Sequence, residues 1–340
     1  MVLPPLNFIY VHLLKEVSGG KVTTTWEGWG RMDCMLTRIK KRYARYWQMY
    51  LFLLIPVIYI LVFQYYPMLG LQIAFKKFNF RGGVWGSPWV GFYHFEKFFK
   101  SYQFSRILTN TLALSFYSVI VGFPIPILFA LTLNVINNRR YKKVIQTITY
   151  MPYFISVVVL VGMMMQIFHP INGVYGIVVH ALTGQYPTDL MGSAKAFPHM
   201  YVWSGVWQHF GYNSIVYIAA LTGVSHELHE AAQIDGASRL QRVWHIDVPA
   251  ILPTMTVMLI LRMGSVMSLG FQKIYLMQND LNIAASEVIT TYVYKKGLAS
   301  GTSNDYSYAT AINMFNSVVN LLLLTTVNQI ARRMGETSLW

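Results

Sequence analysis

The residues that point most directly to a function lie in one polar segment, from Glu230 to Pro249. It opens with Glu-Ala-Ala and reaches Gly236 after three further residues. Ser225 is a suitable N-cap for a short helix whose alanines would keep one face thin. A thin face lets a helix enter a cleft on another protein, and Gly236 either ends the helix or permits close backbone approach. The segment therefore predicts a contact surface rather than a catalytic centre. A helix lying on the membrane surface is the alternative interpretation.

A second set of residues combines aromatic rings with hydrogen-bonding groups inside an apolar stretch. Sugars bind by stacking on aromatic faces and by hydrogen bonds, so this mixture favours a saccharide path. Its members are Trp203, Trp207, Gln208, His209, Tyr212 and Asn213. The alternative is that the aromatic side chains belong to belts at the membrane interface and that His209 is a packing residue.

The following apolar stretch contributes Arg262 and Ser265. A charge within a membrane helix costs at least ~2.5 kcal/mol, so it marks a pathway or a paired site by default. A guanidinium fits a carboxylate at two points, which makes Arg262 a candidate for holding an acidic group of a substrate. Its alternative role is structural, as the partner of a helix-end carbonyl. In the last stretch, Asn313, Asn316 and Asn320 share one helix face, which favours hydrogen bonds between helices over lining of a path.

Sequence patterns for catalysis, nucleotide binding and metal binding are missing. No Gly-rich run followed by Lys and then Ser or Thr occurs, so ATP hydrolysis would need a partner protein. His226 and His229 form no larger ligand cluster, and the single cysteine, Cys34, excludes an internal disulfide. We predict no catalytic residue, no metal site and no cofactor bound by this chain.

Composition places the chain in a membrane. Of its residues, 54% are hydrophobic and only 12% are charged, whereas about 25% are charged in soluble domains. A bilayer core of roughly 30 Å needs about 20 mostly apolar residues in a helix. Six stretches satisfy this: Trp47–Tyr66, Asn110–Ile136, Val144–Phe168, Met200–Val224, Ala250–Gly270 and Tyr308–Ile330. The prediction is an all-α, polytopic membrane protein with six transmembrane helices.

The net charge of +14 is interpreted as a topology signal, with no nucleic acid as partner. Basic residues cluster before the first apolar stretch and again at 139–143, which places both segments in the cytoplasm. Threading six spans then puts both termini there as well. We predict a basic cytoplasmic tail, 1–45, and a transmembrane domain, 46–340. The domain includes an extracytoplasmic loop at 67–109 and a cytoplasmic helix region at 225–249.

The spacing in that cytoplasmic region is more specific than its local pattern. Glu-Ala-Ala, three residues, Gly, nine residues and Ile-x-x-Pro resembles the coupling motif of binding-protein-dependent ABC importer permeases. Val248 stands where the family usually has Leu. The resemblance assigns ATPase coupling to Glu230, Ala231, Ala232, Asp235, Gly236, Ala237, Ile246 and Pro249.

Three further segments, Tyr66–Phe75, Ser286–Lys295 and Gly335–Trp340, are similar to oligosaccharide and polysaccharide importer permeases of the LplB type. This branch is similar to permeases for alginate and other uronic-acid oligosaccharides. In the related maltose-importing permease the matching region touches sugar, but the present chain departs from it at Gln208 and His209.

The resemblance implies the fold of a type I ABC importer permease in the inner membrane of a bacterium. It also implies a heterodimer with a second permease, two ATPase subunits that bind ATP and Mg, and an external solute-binding protein that delivers the saccharide. An ion-coupled secondary transporter and an integral-membrane enzyme are the alternatives. The first would need buried acidic residues, and the second a convergent catalytic set.

Overall fold

The computed structural model describes residues 46–299, 301 and 305–333. The predicted tail, 1–45, and the terminal segment Gly335–Trp340 lie outside the described residues. The chain divides into two compact units, Met1–Gly70 and Leu71–Trp340.

The described part of the first unit is a single long apolar helix. Helix α1, Tyr46–Phe75, has 30 residues. It widens to a π-type turn at Leu61–Tyr65 and tightens to a 3-10 turn at Leu69–Phe75. All its residues from Trp47 to Tyr66 are exposed. Exposed apolar side chains over this length suit a helix surrounded by lipid.

The second unit is helical apart from one isolated β-bridge, between Lys76 and Trp89, in the residues that the structure describes. Its first helices are α2 Gly83–Gly86, α3 Tyr93–Phe99, α4 Phe104–Val135, α5 Arg139–Tyr150, α6 Val157–Ile167 and α7 Val174–Thr183. The remaining helices are α8 Phe197–Thr222, α9 His226–Ile234, α10 Arg239–Met263, α11 Phe271–Met277, α12 Ile283–Ser286, α13 Ile289–Gly297 and α14 Tyr306–Arg333.

Four of the described helices, α1, α4, α10 and α14, are long and apolar enough to cross a membrane, or up to five if α5 and α6 form one broken span. The all-α prediction therefore agrees with the structure, whereas its count of six spans exceeds what length and composition support. The difference lies in α8. Its 26 residues reach about 39 Å at 1.5 Å per residue, which is long enough to span a bilayer. Its polar side chains, however, make it too polar to be counted among the candidate spans.

The third predicted span, Val144–Phe168, is not one straight helix. Arg139–Phe154 and Val157–Ile167 meet at 98°. Pro152 has no N–H to continue the α-helical ladder, and residues Met151–Phe154 tighten into a 3-10 turn. Ser156 then caps a new helix by accepting a hydrogen bond from Val159 N at 3.3 Å. The basic residues at 139–143 likewise begin helix α5 instead of lying in a loop.

Helix α8 is the central packing element. It runs along the second half of α4 and contacts the first half of α4, α10 and α5. At Gly211 it approaches α5 so closely that an added Cβ would overlap the carbonyl oxygen of Thr149. Only glycine fits that crossing. Three buried clusters hold the helices together, centred on Leu160 and Phe197, on Met267 and Ile312, and on Ala130 and Ile251.

A polar side chain of α14 also holds the segment that follows α10. Asn320 Nδ2 donates to Ser268 Oγ at 2.9 Å, and Asn320 Oδ1 accepts from Met267 N at 2.9 Å. Asn320 thus makes structural hydrogen bonds and does not line the cavity next to α8, but its partners lie in the non-helical stretch 264–270 and not in another helix. Asn316 is also buried, whereas Asn313 is exposed.

Candidate functional site

The segment that resembles the coupling motif folds as two helices joined by a tight turn. Ser225 Oγ accepts a hydrogen bond from Glu227 N at 3.3 Å at the start of α9. At the other end, Ala237 N donates to Ala232 O at 2.9 Å across Gly236. Gly236 has φ +82°, and nothing lies within 4 Å of where its Cβ would be. Of the two roles predicted for Gly236, the structure supports a backbone turn, since no crowding arises within the chain.

The second half of the motif is helical, not a loop. Ser238 caps α10 by exchanging hydrogen bonds with Gln241: Ser238 N donates to Gln241 Oε1 at 2.8 Å, and Gln241 N donates to Ser238 Oγ at 3.3 Å. The helix then passes through a π-type turn at Val243–Asp247, in which Val248 N bonds back to Val243 O. Pro249 has no N–H and follows this wider turn, so the helix continues into the apolar stretch without a break.

The motif presents a mixed surface. Of the residues predicted to couple to the ATPase, Glu230, Ala231, Asp235, Gly236 and Pro249 are exposed, and Ala232, Ala237 and Ile246 are half-buried. Large apolar side chains stand exposed beside them. Ile234 is 87% exposed and Leu240 67% exposed. Leu228 and Trp244 are exposed as well.

A cavity of about 600 Å³ lies within the second unit, next to α8. It is bounded by α4, the start of α6, α8, α10, α11 and the non-helical stretch 264–270. Five of the predicted path residues line it: Gln208, His209, Asn213, Arg262 and Ser265. The structure therefore brings together polar side chains from two predicted spans.

The three aromatic path residues are not among those that line the cavity. Trp203 and Trp207, four residues apart, share one helix face and are about half exposed. Trp203 Nε1 donates to the hydroxyl of Tyr117 at 3.1 Å. Tyr212 stacks on Tyr153, with ring centroids 3.7 Å apart and planes 4° from parallel. In this structure, then, the predicted aromatic stacking platform and the polar groups occupy different surfaces of α8.

Two buried polar atoms in the cavity wall have no hydrogen-bond partner among the described residues: Gln208 Oε1 and Ser115 Oγ. Gln208 is 3% exposed, and its Nε2 donates to Ile155 O at 2.8 Å. Most buried polar groups are paired, with protein or with water. His209 is oriented by its Nδ1, 2.9 Å from Gly205 O, which leaves Nε2 for another partner. The wall thus offers free hydrogen-bonding capacity to a polar guest.

Two cations line the same cavity. Arg262 Nη2 donates to Ser118 O at 3.4 Å. This contact fits the alternative, structural role of Arg262, but one long hydrogen bond uses little of a guanidinium with five N–H donors. Lys273 is 7% exposed, donates from Nζ to Tyr201 O at 3.0 Å, and lies 5.0 Å from the centre of the Tyr201 ring.

These cations are not neutralised. No carboxylate pairs with either of them in the part of the chain that the structure describes, and neither Asp nor Glu lines the cavity. Positive charge in a partly enclosed, low-dielectric space attracts anions strongly. The arrangement can bind a carboxylate and orient hydroxyl groups around it.

Sequence reasoning missed Lys273. The fifth apolar stretch was predicted to end at Gly270, which left Lys273 outside the membrane. In the structure α10 ends at Met263, and the short helix α11 returns the chain against α6. The available signal was a lone lysine in an otherwise apolar and aromatic run, Phe271–Met277.

No group of three or more His, Cys, Asp and Glu side chains able to hold a metal occurs in the described residues.

The sequence profile of the family described as "Binding-protein-dependent transport system inner membrane component" matches residues 122–336, which is most of the second unit. The chain belongs to this family. It is a permease, the membrane subunit of an ABC transporter, and not an enzyme. Permease subunits carry no cofactor, and ATP is bound by the partner ATPase subunits.

Relatives support the membership over nearly the full length. The chain is 40% identical to Protein LplB of Bacillus subtilis over 292 residues, 86% of this chain and 91% of LplB. It is 36% identical over 310 residues to the polygalacturonan/rhamnogalacturonan transport system permease protein YteP of the same species, covering 91% of this chain and 94% of YteP. The resemblance to LplB-type permeases is thereby confirmed.

Two solved structures share the fold. One is a bacterial ABC transporter involved in the import of the acidic polysaccharide alginate, with a TM-score of 0.80 at 38% identity, covering 87% of this chain and 99% of that chain. The other is a bacterial alginate ABC transporter in complex with an alginate pentasaccharide-bound periplasmic protein. It gives a TM-score of 0.81 at 37% identity, covering 89% of this chain and 100% of that chain.

Proposed function

We propose that this chain carries an acidic oligo- or polysaccharide across the inner membrane as one permease of a heterodimeric ABC importer. The observation that carries the proposal is the cavity in which Arg262 and Lys273 lack any carboxylate partner among the described residues. A uronic-acid unit supplies the missing charge, and its hydroxyl groups supply partners for the unpaired polar atoms. The transport of alginate and of polygalacturonan by the similar proteins named above supports this substrate class.

Within the cavity the side chains have different tasks. The Arg262 guanidinium presents a planar, two-point donor to a carboxylate, whereas the Lys273 ammonium acts as a compact point charge. Gln208, Asn213 and Ser265 offer hydrogen bonds to sugar hydroxyl groups. No aromatic ring needs to stack on the sugar at this point, which differs from our expectation for Trp203 and Trp207.

The coupling motif would connect this cavity to ATP hydrolysis. Helix α9 and the first turn of α10 expose apolar side chains, of which Ile234, Leu240 and Trp244 are the most prominent. An exposed apolar surface of this kind next to charged residues marks a contact with a protein partner. We assign that partner to the ATPase pair in the cytoplasm. A second permease would complete the path, and an extracytoplasmic solute-binding protein would deliver the saccharide.

The test uses the complete complex in proteoliposomes, with its binding protein and ATP. Uptake is measured for uronic-acid oligosaccharides of one length, with the carboxyl groups either free or methyl-esterified. Replacement of Arg262 or Lys273 by Met keeps an unbranched side chain, somewhat shorter than the original, and removes its charge. Losing one charge-assisted hydrogen bond of about 1.5–3 kcal/mol raises KM for the free acid by roughly 10- to 150-fold.

The matched control is Lys195→Met, which removes an exposed lysine that does not line the cavity. It should leave both uptake rates unchanged. If the Arg262 and Lys273 variants impair the free acid and the ester equally, charge recognition is wrong. If the wild-type complex takes up no saccharide when ATP is supplied, the proposed function itself is wrong.

A further inference from the structure

The coupling helix is tied to the spans by one buried carboxylate. Asp247 is 1% exposed and ends the π-type turn of α10. Its Oδ1 atom lies 3.1 Å from His229 Nε2 and accepts a hydrogen bond from Asn134 Nδ2 at 3.3 Å. One oxygen atom therefore joins three elements: the coupling helix α9, the end of α4 and the base of α10.

The two histidines of α9 differ sharply in their surroundings. The side chain of His229 is 20% exposed and faces Asp247, whereas that of His226 is 88% exposed and lies 3.9 Å from Glu230 in the same helix. A second side-chain contact, from Arg242 Nη1 to Gln233 Oε1, is exposed and long at 3.4 Å. Among these three side-chain contacts of α9, the His229–Asp247 contact is the shortest and the most buried.

Both spans that Asp247 connects carry residues that line the cavity. Ser115, Ser118 and Gly122 of α4 and Arg262 of α10 line the cavity. Arg262 also bonds to Ser118 O, so α4 and α10 contact each other again at the cavity. If α9 moves while His229 stays in contact with Asp247, then the C-terminal end of α4 and the N-terminal part of α10 must move with it.

We propose that Asp247 is a positioning residue through which movement of the coupling helix reaches α4 and α10, with His229 as its contact on the moving side. The proposal deepens the proposed function and rests on it. The physical reason is that breaking the contact would remove one of the two side chains that pair with the buried Asp247 carboxylate. Leaving a buried charge with fewer partners is strongly unfavourable. The helix and the spans thus move together more easily than they separate.

The experiment measures saccharide uptake per ATP hydrolysed by the complete complex in proteoliposomes. His229→Ala removes the link, while His229→Gln keeps a hydrogen-bond donor on a side chain of similar reach. We expect His229→Ala to lower uptake per ATP about 10-fold, within the range usual for coupling between sites. His229→Gln should recover most of it. The matched control is His226→Ala, which removes a histidine from the same helix and should have no effect.

A second pair of variants separates coupling from folding. If the Asp247→Ala variant does not assemble, the Asn134→Ala variant is tested in its place. Asn134 bonds to the same oxygen atom of Asp247, and it is only half-buried, so its removal should disturb folding less. The double variant of His229 and Asp247, if it assembles, should be no worse than the more severe single one, since both remove the same link.

Three outcomes would overturn the inference. His229→Ala could leave both saccharide uptake and ATP hydrolysis at their wild-type rates. It could reduce uptake and ATP hydrolysis in equal proportion, which is a loss of folded complex and not of coupling. His226→Ala could have the same effect as His229→Ala, which would point to the helix surface as a whole. In each case ATP-driven uptake by the wild type would still stand, so the proposed function would be unaffected.

Discussion

Replacing Gly236 tests whether its backbone conformation is what the coupling motif requires. Its φ of +82° lies in the left-handed region, and a Cβ at this position would meet no atom of the chain within 4 Å. The turn is closed by two hydrogen bonds, Gly236 N to Gln233 O at 3.1 Å and Ala237 N to Ala232 O at 2.9 Å. A side chain would therefore act through backbone strain, because no neighbour has to move.

The size of the effect follows from that strain. An ordinary L-residue in the left-handed region costs roughly 1–2 kcal/mol, whereas Asn enters it more readily. A cost of 1–2 kcal/mol changes the population of the turn by a factor of about 5–30. Gly236→Ala should therefore reduce uptake per ATP hydrolysed by up to this factor. Gly236→Val should be worse, because a β-branched residue tolerates positive φ poorly. Gly236→Asn should stay near the wild type.

The assay is saccharide uptake and ATP hydrolysis by the reconstituted complex, with membrane insertion checked by the yield of the intact permease. The order of activity is expected to be Gly, then Asn, then Ala, then Val. If Asn is as damaging as Val, the glycine is needed for room beside the ATPase and the backbone argument fails. If Ala equals the wild type, the turn has no part in coupling.

Three further predictions concern stability and use the apparent melting temperature of the purified complex. Gly211→Val should lower it or abolish assembly, since a Cβ would overlap Thr149 O; Gly162→Val, with nothing within 4 Å of its Cβ, is the control and should cost little. Arg106→Met leaves Glu287, whose side chain is 7% exposed, without the salt bridge that Arg106 provides. We expect a loss of about 1–2 kcal/mol, below the value for a fully buried pair because the Arg106 side chain is 41% exposed; Lys100→Met, which breaks the exposed Lys100–Glu96 pair, should have no measurable effect. Burial lowers the pKa of His94, so the folded state resists its protonation, and stability present above about pH 6.5 should decline as the pH falls toward the lowered value. His94→Gln should flatten that decline, and an unchanged slope would show that other groups cause it.

Short-range features of the coupling motif followed from the sequence. Ser225 was predicted to cap a short helix, and its hydrogen bond from Glu227 N supports that role. Gly236 was predicted either to end the helix or to permit close backbone approach, and its positive φ supports the first of these roles. Such features depend on residues within one helical turn, where local geometry decides. The all-α class likewise followed from the sequence, because an apolar stretch in lipid must satisfy its backbone groups internally, and four of the six predicted stretches form most of helices α1, α4, α10 and α14.

Features that depend on distant residues were predicted less well. The bend of 98° in the third span arises from Pro152 together with Ser156. Proline is common in membrane helices and is often tolerated, so its presence alone did not predict a break in the helix. The separation of Trp203 and Trp207 from Gln208 and Asn213 depends on which face of α8 meets α4 and α10. Composition does not encode that orientation.

The sequence by itself determined that the chain is a membrane protein, which of its segments resembles a coupling motif, and which family the chain resembles. Each depends on composition or on fixed spacing along the chain. Only the tertiary structure placed Lys273 beside Arg262 in one cavity and joined His229 to Asp247 and Asn134. Most of those groups lie far apart in sequence. Helix packing decides which of them come into contact, and the contacts decide whether a buried charge is paired.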